Sequence, residues 1–383
     1  MRLCVTVLGA AALAGSSRPN GSSAALRPYH LIGNSTIHRG SDSVRGLSYG
    51  AQHVPLLVLI FTARPNSGRR ADQQRTWLTH PWRTADNSPV PWRYVYVLGR
   101  KARSLQSSGP VQDELVGDRV FLGRIQETYL NLVHKTLDSL RWAVSSVSFD
   151  VLLKTDDDSM LHVSRLWSWL SVSDEPFREM HVPTSSSVDD RRAAWRRLYA
   201  GRVQIDSQTI RSNFTKKDLW YPHWFPDDFL KWAIPYSSFS EDRFPPYCSG
   251  GGYLLGRDAA GAILSQYRLW KADVFPIEDA FLGVLARAGG IAPTEMGPVL
   301  GRRPSLFEDP AAQQAQVRAL FAGKILVHRV KDFDQGFKWM LLNVTAPLGT
   351  MKRKGTGSKA RPVLSAGRSI GNAHVHMPEI MTT

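Results

Sequence analysis

The 383-residue sequence has only two cysteines, Cys4 and Cys248, which excludes a disulfide-built scaffold and a cysteine-ligated zinc module. Cys4 sits in an N-terminal apolar run, so Cys248 is left without a partner for an intrachain disulfide, and stability must come from a core. That N-terminal run is shorter than the ~20 apolar residues a membrane-spanning helix needs. There is no GxxxxGK[ST] loop and no GxGxxG after a strand, so nucleotide-hydrolase and dinucleotide-binding readings fall. No internal repeat is visible. Acidic residues are also scarce, 33 against 48 Lys and Arg, for a formal charge of +15.

The positive surplus lies mostly on the arms. Residues 1–53 carry five Arg against Asp42, and residues 346–383 carry six Lys and Arg against Glu379, so nine of the fifteen charges sit outside the centre. Both arms are rich in Gly, Ser and Pro without a sustained apolar period, and are expected to be a flexible stem over 19–53 and a basic flexible tail over 346–383. No nucleic-acid partner is expected. The basic start, short apolar run and small residues predict a signal peptide or short signal-anchor over 1–18, with membrane association through the N-terminus. Sequons at Asn20, Asn34, Asn213 and Asn343 agree with a secretory-pathway protein of the Golgi or endoplasmic reticulum lumen.

Between the arms, 43% hydrophobic and 10% aromatic content is enough for a sizeable core, and one domain over 54–345 is expected. Residues 55–61 form a continuous apolar run, as in a strand buried on both faces. A polar loop and a helical stretch over 69–78 follow, making an α/β unit whose strand-end loop is a ligand position. Arg69 and Arg70 there are candidates to face a diphosphate. Further strands are expected at 92–99 and 120–122. A helix over 127–144 should bury Tyr129, Leu132, Thr136, Leu140 and Val144, leaving Lys135 as a surface charge.

That helix feeds an apolar strand ending in Asp156-Asp157-Asp158. Three adjacent carboxylates repel one another unless they share a cation, and a hard divalent ion with oxygen ligands is the usual one. Alternation along extended backbone puts Asp156 and Asp158 on one face and turns Asp157 away. The plainer alternative has Asp158 capping a following helix with Met160, Val163, Trp167 and Leu170 on its apolar face. Downstream, Gly250-Gly251-Gly252 permits a tight turn or close approach to a ligand, and Tyr247 and Tyr253 beside it either stack on sugar rings or pack in the core. Glu278 and Asp279, if they begin a helix, diverge by about 100° so that only one can face a reacting centre.

Five elements in order now carry a resemblance: Arg70 with Thr76-Trp77, the stretch from Glu127 through Thr136, Leu152-Leu153-Lys154-Thr155-Asp156-Asp157-Asp158, Lys231-Trp232 with Tyr247-Cys248-Ser249-Gly250-Gly251-Gly252-Tyr253, and Glu278-Asp279 followed by His328. Together they resemble the β-1,3-galactosyltransferase family over about residues 54–330. The resemblance implies a GT-A-like catalytic domain, α/β, with a central mixed, mostly parallel sheet flanked by helices. It implies inverting transfer of galactose, N-acetylgalactosamine or N-acetylglucosamine from a UDP-sugar to an acceptor glycan in β-1,3 linkage. Manganese or another divalent ion would bind Asp158, Asp156 and His328, and the donor would meet Thr62, Arg64, Arg70, Lys135, Asp156 and Asp157. Acceptor contacts would come from Trp232, Tyr247, Gly250, Gly251, Gly252 and Tyr253, with Asp279 as general base and Glu278 as second choice. The chain departs from the family at Gln74, where Arg is usual three residues before the Trp, and in apparent insertions at 171–192 and 212–230, so the sugar and acceptor are not carried over. The alternatives are a degenerate, noncatalytic glycan-binding member and a glycosidase, which would need neither nucleotide nor metal.

Overall fold

The computed structural model describes residues 53–100, 114–171, 188–219, 227–296, 300–302 and 321–342. The expected leader, tail and, apart from His53, stem lie outside these residues, as do much of the two apparent insertions. The chain divides into two compact units after Asn343, and every described residue belongs to the first.

Strand β1 (Val54–Phe61) is buried at every position. It leads into α1 (Ser67–Gln73), which continues as a π-helical turn over Gln74–Leu78. The helix expected at 69–78 is therefore present with a widened last turn, which buries Thr76, Trp77 and Leu78. Next come β2 (Trp92–Arg100), β3 (Glu114–Val116) and β4 (Arg119–Gln126). The long helix α2 (Leu132–Ser146) starts later than its apolar period suggests. Thr128 Oγ1 accepts from Asn131 N, and Asn131 Nδ2 donates to the Gln126 carbonyl, which stabilises a 3-10 turn at Tyr129–Asn131 instead. Tyr129 is thereby 53% exposed rather than in the core, while Thr136 and Leu140 are buried as expected.

Then follow β5 (Phe149–Asp156), β6 (Met160–Leu161), α3 (Val163–Ser171), α4 (Val188–Trp195), β7 (Tyr199–Gln204), β8 (Tyr247–Gly256), α5 (Arg257–Leu269), α6 (Glu278–Ala288), β9 (Thr294–Glu295), β10 (Leu300–Arg302), β11 (Leu326–His328) and α7 (Phe333–Met340). Eight strands form one mixed sheet in the order β3-β4-β2-β1-β5-β8-β7-β9, and β10-β11-β6 form a second, three-stranded sheet. The pairs β1–β2, β1–β5, β2–β4 and β7–β9 are parallel, and β3–β4, β5–β8 and β7–β8 are antiparallel. This is the expected α/β class with a mixed, mostly parallel central sheet.

Alternation along β1 divides the core in two. Leu57, Leu59 and Phe61 join the cluster containing Val133, Leu137 and Leu140 of α2 and Phe281 and Leu285 of α6. Leu56, Val58 and Ile60 join the one containing Trp77, Leu166 and Leu170 of α3, and Phe333 of α7. Both faces are covered, so β1 is apolar throughout.

The sheet order also places the site. After β1 the chain builds β2 and β4 to one side, then returns to put β5 on the other. The loops following β1 and β5 therefore open at a topological switch point, where α/β sheets bind ligands. Because β8 runs antiparallel to β5 with Thr155 opposite Gly252, residues 247–250 extend past the carboxyl end of β5.

Candidate active site

Asp156 ends β5, and Asp158 lies in the turn just after it. The short β6 pairs antiparallel with β11, Met160 opposite Val327, which brings His328 over the turn. His328 Nε2 lies 3.1 Å from Asp158 Oδ1 and 3.4 Å from Asp156 Oδ2. Arg329 adopts φ 62°, a left-handed conformation that reverses the chain, and Val330 N then donates to the Asp158 carbonyl at 2.8 Å. The capping role for Asp158 fails: α3 begins only at Val163, Met160 is in a strand, and the Asp158 side chain meets His328 instead.

One ligand atom each from Asp156, Asp158 and His328 falls within 4.8 Å of the others. Asp158 Oδ1 is buried yet makes no hydrogen bond, its contact with the imidazole being poorly aligned. An orphaned carboxylate oxygen beside a second carboxylate and an imidazole is a donor set that suits a divalent ion. Burial pulls the His328 imidazole down, but the close contact and negative charge of Asp156 and Asp158 lift it to about 9. Burial alone would raise the Asp156 carboxyl, yet Lys154 and His328 hold it well below the usual carboxylate range.

Asp157 points the other way, as alternation requires, and both its oxygens are engaged within the protein. Oδ2 accepts from Thr62 Oγ1 at 2.6 Å and Asn66 Nδ2 at 2.8 Å, and Oδ1 accepts from Arg69 Nη1 at 2.8 Å. Arg70 Nη1 donates to Thr62 Oγ1 at 3.0 Å and the Ala63 carbonyl at 2.7 Å, and Nη2 to the Arg64 carbonyl at 3.2 Å. Thr62, Asp157 and Arg70 thus brace the loop after β1. Arg64 is exposed, its guanidinium 4.9 Å from the Phe121 ring centre. Lys135, expected at the surface, is 5% exposed. Its ammonium donates to the Thr62 carbonyl at 2.8 Å and Glu127 Oε1 at 2.6 Å, because α2 begins late and aims its first turn at the loop. Gln74 Nε2 donates to Asp118 at 3.2 Å, and Arg75 pairs with Asp72 and Asp334.

The glycine row is neither a turn nor an open ligand face but part of β8. A Cβ on Gly251 would lie 2.7 Å from His328 Nδ1, and one on Gly252 would overlap Leu326 Cδ2. Their missing side chains admit β11, so both are buried; Gly250 remains half-buried. Tyr253 also takes the core alternative: it is fully buried, its hydroxyl donating to Glu278 Oε1 at 2.6 Å. Tyr247 is half-buried. Trp232 is half-buried, with Nε1 3.1 Å from the hydroxyl of exposed Tyr129.

Glu278 and Asp279 do begin α6 and do diverge. Glu278 is 5% exposed, and its Oε1 also accepts from Thr136 Oγ1 at 2.9 Å. Asp279 is partly exposed; its Oδ2 accepts from Gly250 N at 2.8 Å and its Oδ1 from Ala280 N at 2.9 Å. Burial raises both carboxyls, against the lowering effect of Lys154 on Glu278 and of the Gly250 and Ala280 N–H groups on Asp279.

Lys154, two residues before Asp156, is the residue sequence reasoning passed over. It is 1% exposed and donates to Asp156 Oδ1 at 2.8 Å and the Gly250 carbonyl at 2.7 Å. The acidic triplet therefore has basic neighbours after all, because the same alternation that pairs Asp156 with Asp158 pairs Asp156 with Lys154. The signal was present: a lysine inside a strand buried on both faces needs a charged partner. Burial opposes its charge, and Asp156 and Glu278 more than compensate, leaving its pKa above that of an ordinary lysine.

A family model described as galactosyltransferase matches residues 69–297. Human acetylgalactosaminyl-O-glycosyl-glycoprotein beta-1,3-N-acetylglucosaminyltransferase is 27% identical over 306 residues, 78% of this chain and 68% of that protein. Mouse beta-1,3-galactosyltransferase 4 is 30% identical over 259 residues, covering 64% of this chain and 63% of that protein. Human N-acetyllactosaminide beta-1,3-N-acetylglucosaminyltransferase 3 is 25% identical over 302 residues, covering 76% of this chain and 69% of that protein.

Proposed function

The chain belongs to the galactosyltransferase family, and we propose that it transfers galactose, N-acetylgalactosamine or N-acetylglucosamine from a UDP-sugar to a hydroxyl of an acceptor glycan, in β-1,3 linkage with inversion. The observation that carries the reading is the convergence of Asp156, Asp158 and His328 at the carboxyl end of β5, with Asp279 held on Gly250 of the neighbouring strand. The family and the names of the relatives support the reaction class and linkage.

Asp156, Asp158 and His328 would hold a divalent ion, manganese by expectation, which would neutralise charge gathering on the departing UDP. Asp279 takes the acceptor hydroxyl's proton as that oxygen attacks the anomeric carbon opposite the UDP oxygen, which leaves with the bonding pair. Each Asp279 oxygen accepts one backbone N–H, which fixes the carboxylate while leaving lone pairs for the proton. Glu278 suits the base role less, since its Oε1 is engaged by Thr136 and Tyr253 behind the strand. The proposed setting is the lumen of the Golgi or endoplasmic reticulum, where UDP-sugars and manganese are at hand. Among the described residues no helix is long and apolar enough to cross a membrane.

The test is a screen of UDP-sugars for manganese-dependent UDP release with and without glycan acceptors. Acceptor-stimulated release that stops on adding EDTA supports the reading. Glycan cleavage without nucleotide, unaffected by EDTA, would replace it with a glycosidase.

A further inference from the structure

A single buried ammonium ties the two acidic groups together. Lys154 Nζ donates to Asp156 Oδ1 at 2.8 Å and to the Gly250 carbonyl at 2.7 Å. Gly250 in turn donates its N–H to Asp279 Oδ2 at 2.8 Å. Behind the ammonium, Glu278 Oε2 stands 3.9 Å away, and Glu278 Oε1 is held by Thr136 of α2 and Tyr253 of β8. The rings of Phe61 and Tyr253 complete its surroundings, with centres 5.1 Å and 5.8 Å from Nζ.

We infer that Lys154 is a positioning residue whose ammonium sets Asp156 on the ion side of the crevice and, through the Gly250 backbone, Asp279 on the acceptor side; this rests on the transferase reading above. Burying a lysine in the central sheet has a large desolvation cost, and an apolar side chain would fill the same space without it. What an apolar side chain cannot do is direct two hydrogen bonds from one atom toward groups on different strands. Alternation along β5 aims Nζ at Asp156, and the antiparallel pairing with β8 brings the Gly250 carbonyl within reach. Glu278 is then the rear counter-charge that keeps the ammonium in place. Its burial and its bonds to two separate elements fit an anchor better than a reacting group.

The experiment uses the full chain and two readouts. Calorimetric titration with Mn²⁺ alone, without nucleotide, reads the ion arm. Steady-state transfer from the UDP-sugar identified in the screen reads the base arm. Lys154→Met should weaken Mn²⁺ binding by roughly ten- to a hundred-fold, as for loss of a ligand's supporting partner. It should lower kcat by on the order of a hundred-fold through misplacement of Asp279, with the acceptor KM little changed. Gly250→Ala, whose Cβ would meet Asp279 Oδ2 at 3.2 Å and Glu278 Oε2 at 3.3 Å, should lower kcat while leaving Mn²⁺ affinity near that of the wild type. A folded Lys154→Met protein with wild-type Mn²⁺ affinity and kcat would overturn the inference, as would Gly250→Ala with wild-type kcat. Should Lys154→Met fail to fold by circular dichroism, Lys154→Arg decides. It keeps the charge, but its longer, planar head cannot place a donor nitrogen at the Nζ position between Asp156 and the Gly250 carbonyl, so kcat should still fall, and wild-type kcat in a folded Lys154→Arg protein overturns the inference. If the wild type releases UDP from no UDP-sugar, the transferase reading fails, while the Mn²⁺ titrations still decide the ion arm of Lys154.

Discussion

At the scale of single residues, two acids have separable tasks. Asp158 offers a buried oxygen with no hydrogen bond, so Asp158→Asn should remove most Mn²⁺-dependent UDP-sugar binding by calorimetry while the thermal melt stays close to the wild type. Wild-type binding in that variant would sink the ligand assignment. Asp279 acts only as the hydroxyl attacks, so its loss falls mainly on the transition state. Asp279→Asn should lower kcat by roughly two to four orders of magnitude with donor affinity nearly unchanged, and Glu278→Gln should lower it less. The direction of the Asp279 shift also sets the acid limb of the rate profile. Burial raises its carboxyl above the ordinary value, and a base must be deprotonated, so activity should fall with decreasing pH through a kinetic pKa higher than an unperturbed aspartate's ~3.9. A limb at or below that value in the pH dependence of kcat would remove Asp279 from the role. Of these residues, Asp156, Asp158 and His328 were legible from alternation and motif, as was the turning away of Asp157, whereas the engagement of Thr62, Arg70 and Lys135 within the protein was not. Thr62, Arg70 and Lys135 are residue types that suit a diphosphate equally well, and only the spatial neighbours show which groups are already engaged.

At the scale of elements, the ion site depends on how closely β11 approaches β8. Gly251 is the spacer: with a Cβ there, the His328 ring would have contacts of 2.7 Å and 2.9 Å and would have to move. Gly251→Ala should therefore cost Mn²⁺ affinity at least ~10-fold, comparable to losing a ligand's support, and about 1–3 kcal/mol of stability through overpacking. Titration and chemical denaturation of the variant check both figures, and unchanged Mn²⁺ affinity would show that His328 is not held by this contact. The glycine row marks a close approach in the sequence but does not say what approaches, since β11 lies more than seventy residues downstream. The late start of α2 has a similar cause. The apolar period runs on through Tyr129, but a local side-chain cap at Thr128 and Asn131 interrupts it, and the first helical turn then carries Lys135 to the loop after β1. Strand β4 was likewise longer than its apolar centre suggested, its ends being polar and paired at the sheet margin.

At the scale of the molecule, secretion is tested at a described position. Asn213 of the sequon Asn213-Phe214-Thr215 is exposed, so in a lumenal protein Asn213→Gln should remove one endoglycosidase-sensitive step in gel mobility; a secreted wild type in which that step is absent would argue against modification there. The sequence by itself determined the α/β class, the buried central strands, the pairing of Asp156 with Asp158 and the divergence of Glu278 and Asp279 once a helix begins there. Those features follow from short-range rules: side-chain alternation, helix rotation per residue and the composition of strands covered on both faces. Tertiary structure alone decided that Lys154 lies between the two acidic groups, that Glu278 anchors it while Asp279 stays accessible, and that Gly251 and Gly252 admit β11. Each of these depends on which distant strands pair and in what register, and register is set by the packing of both sheet faces together rather than by any one segment of the chain.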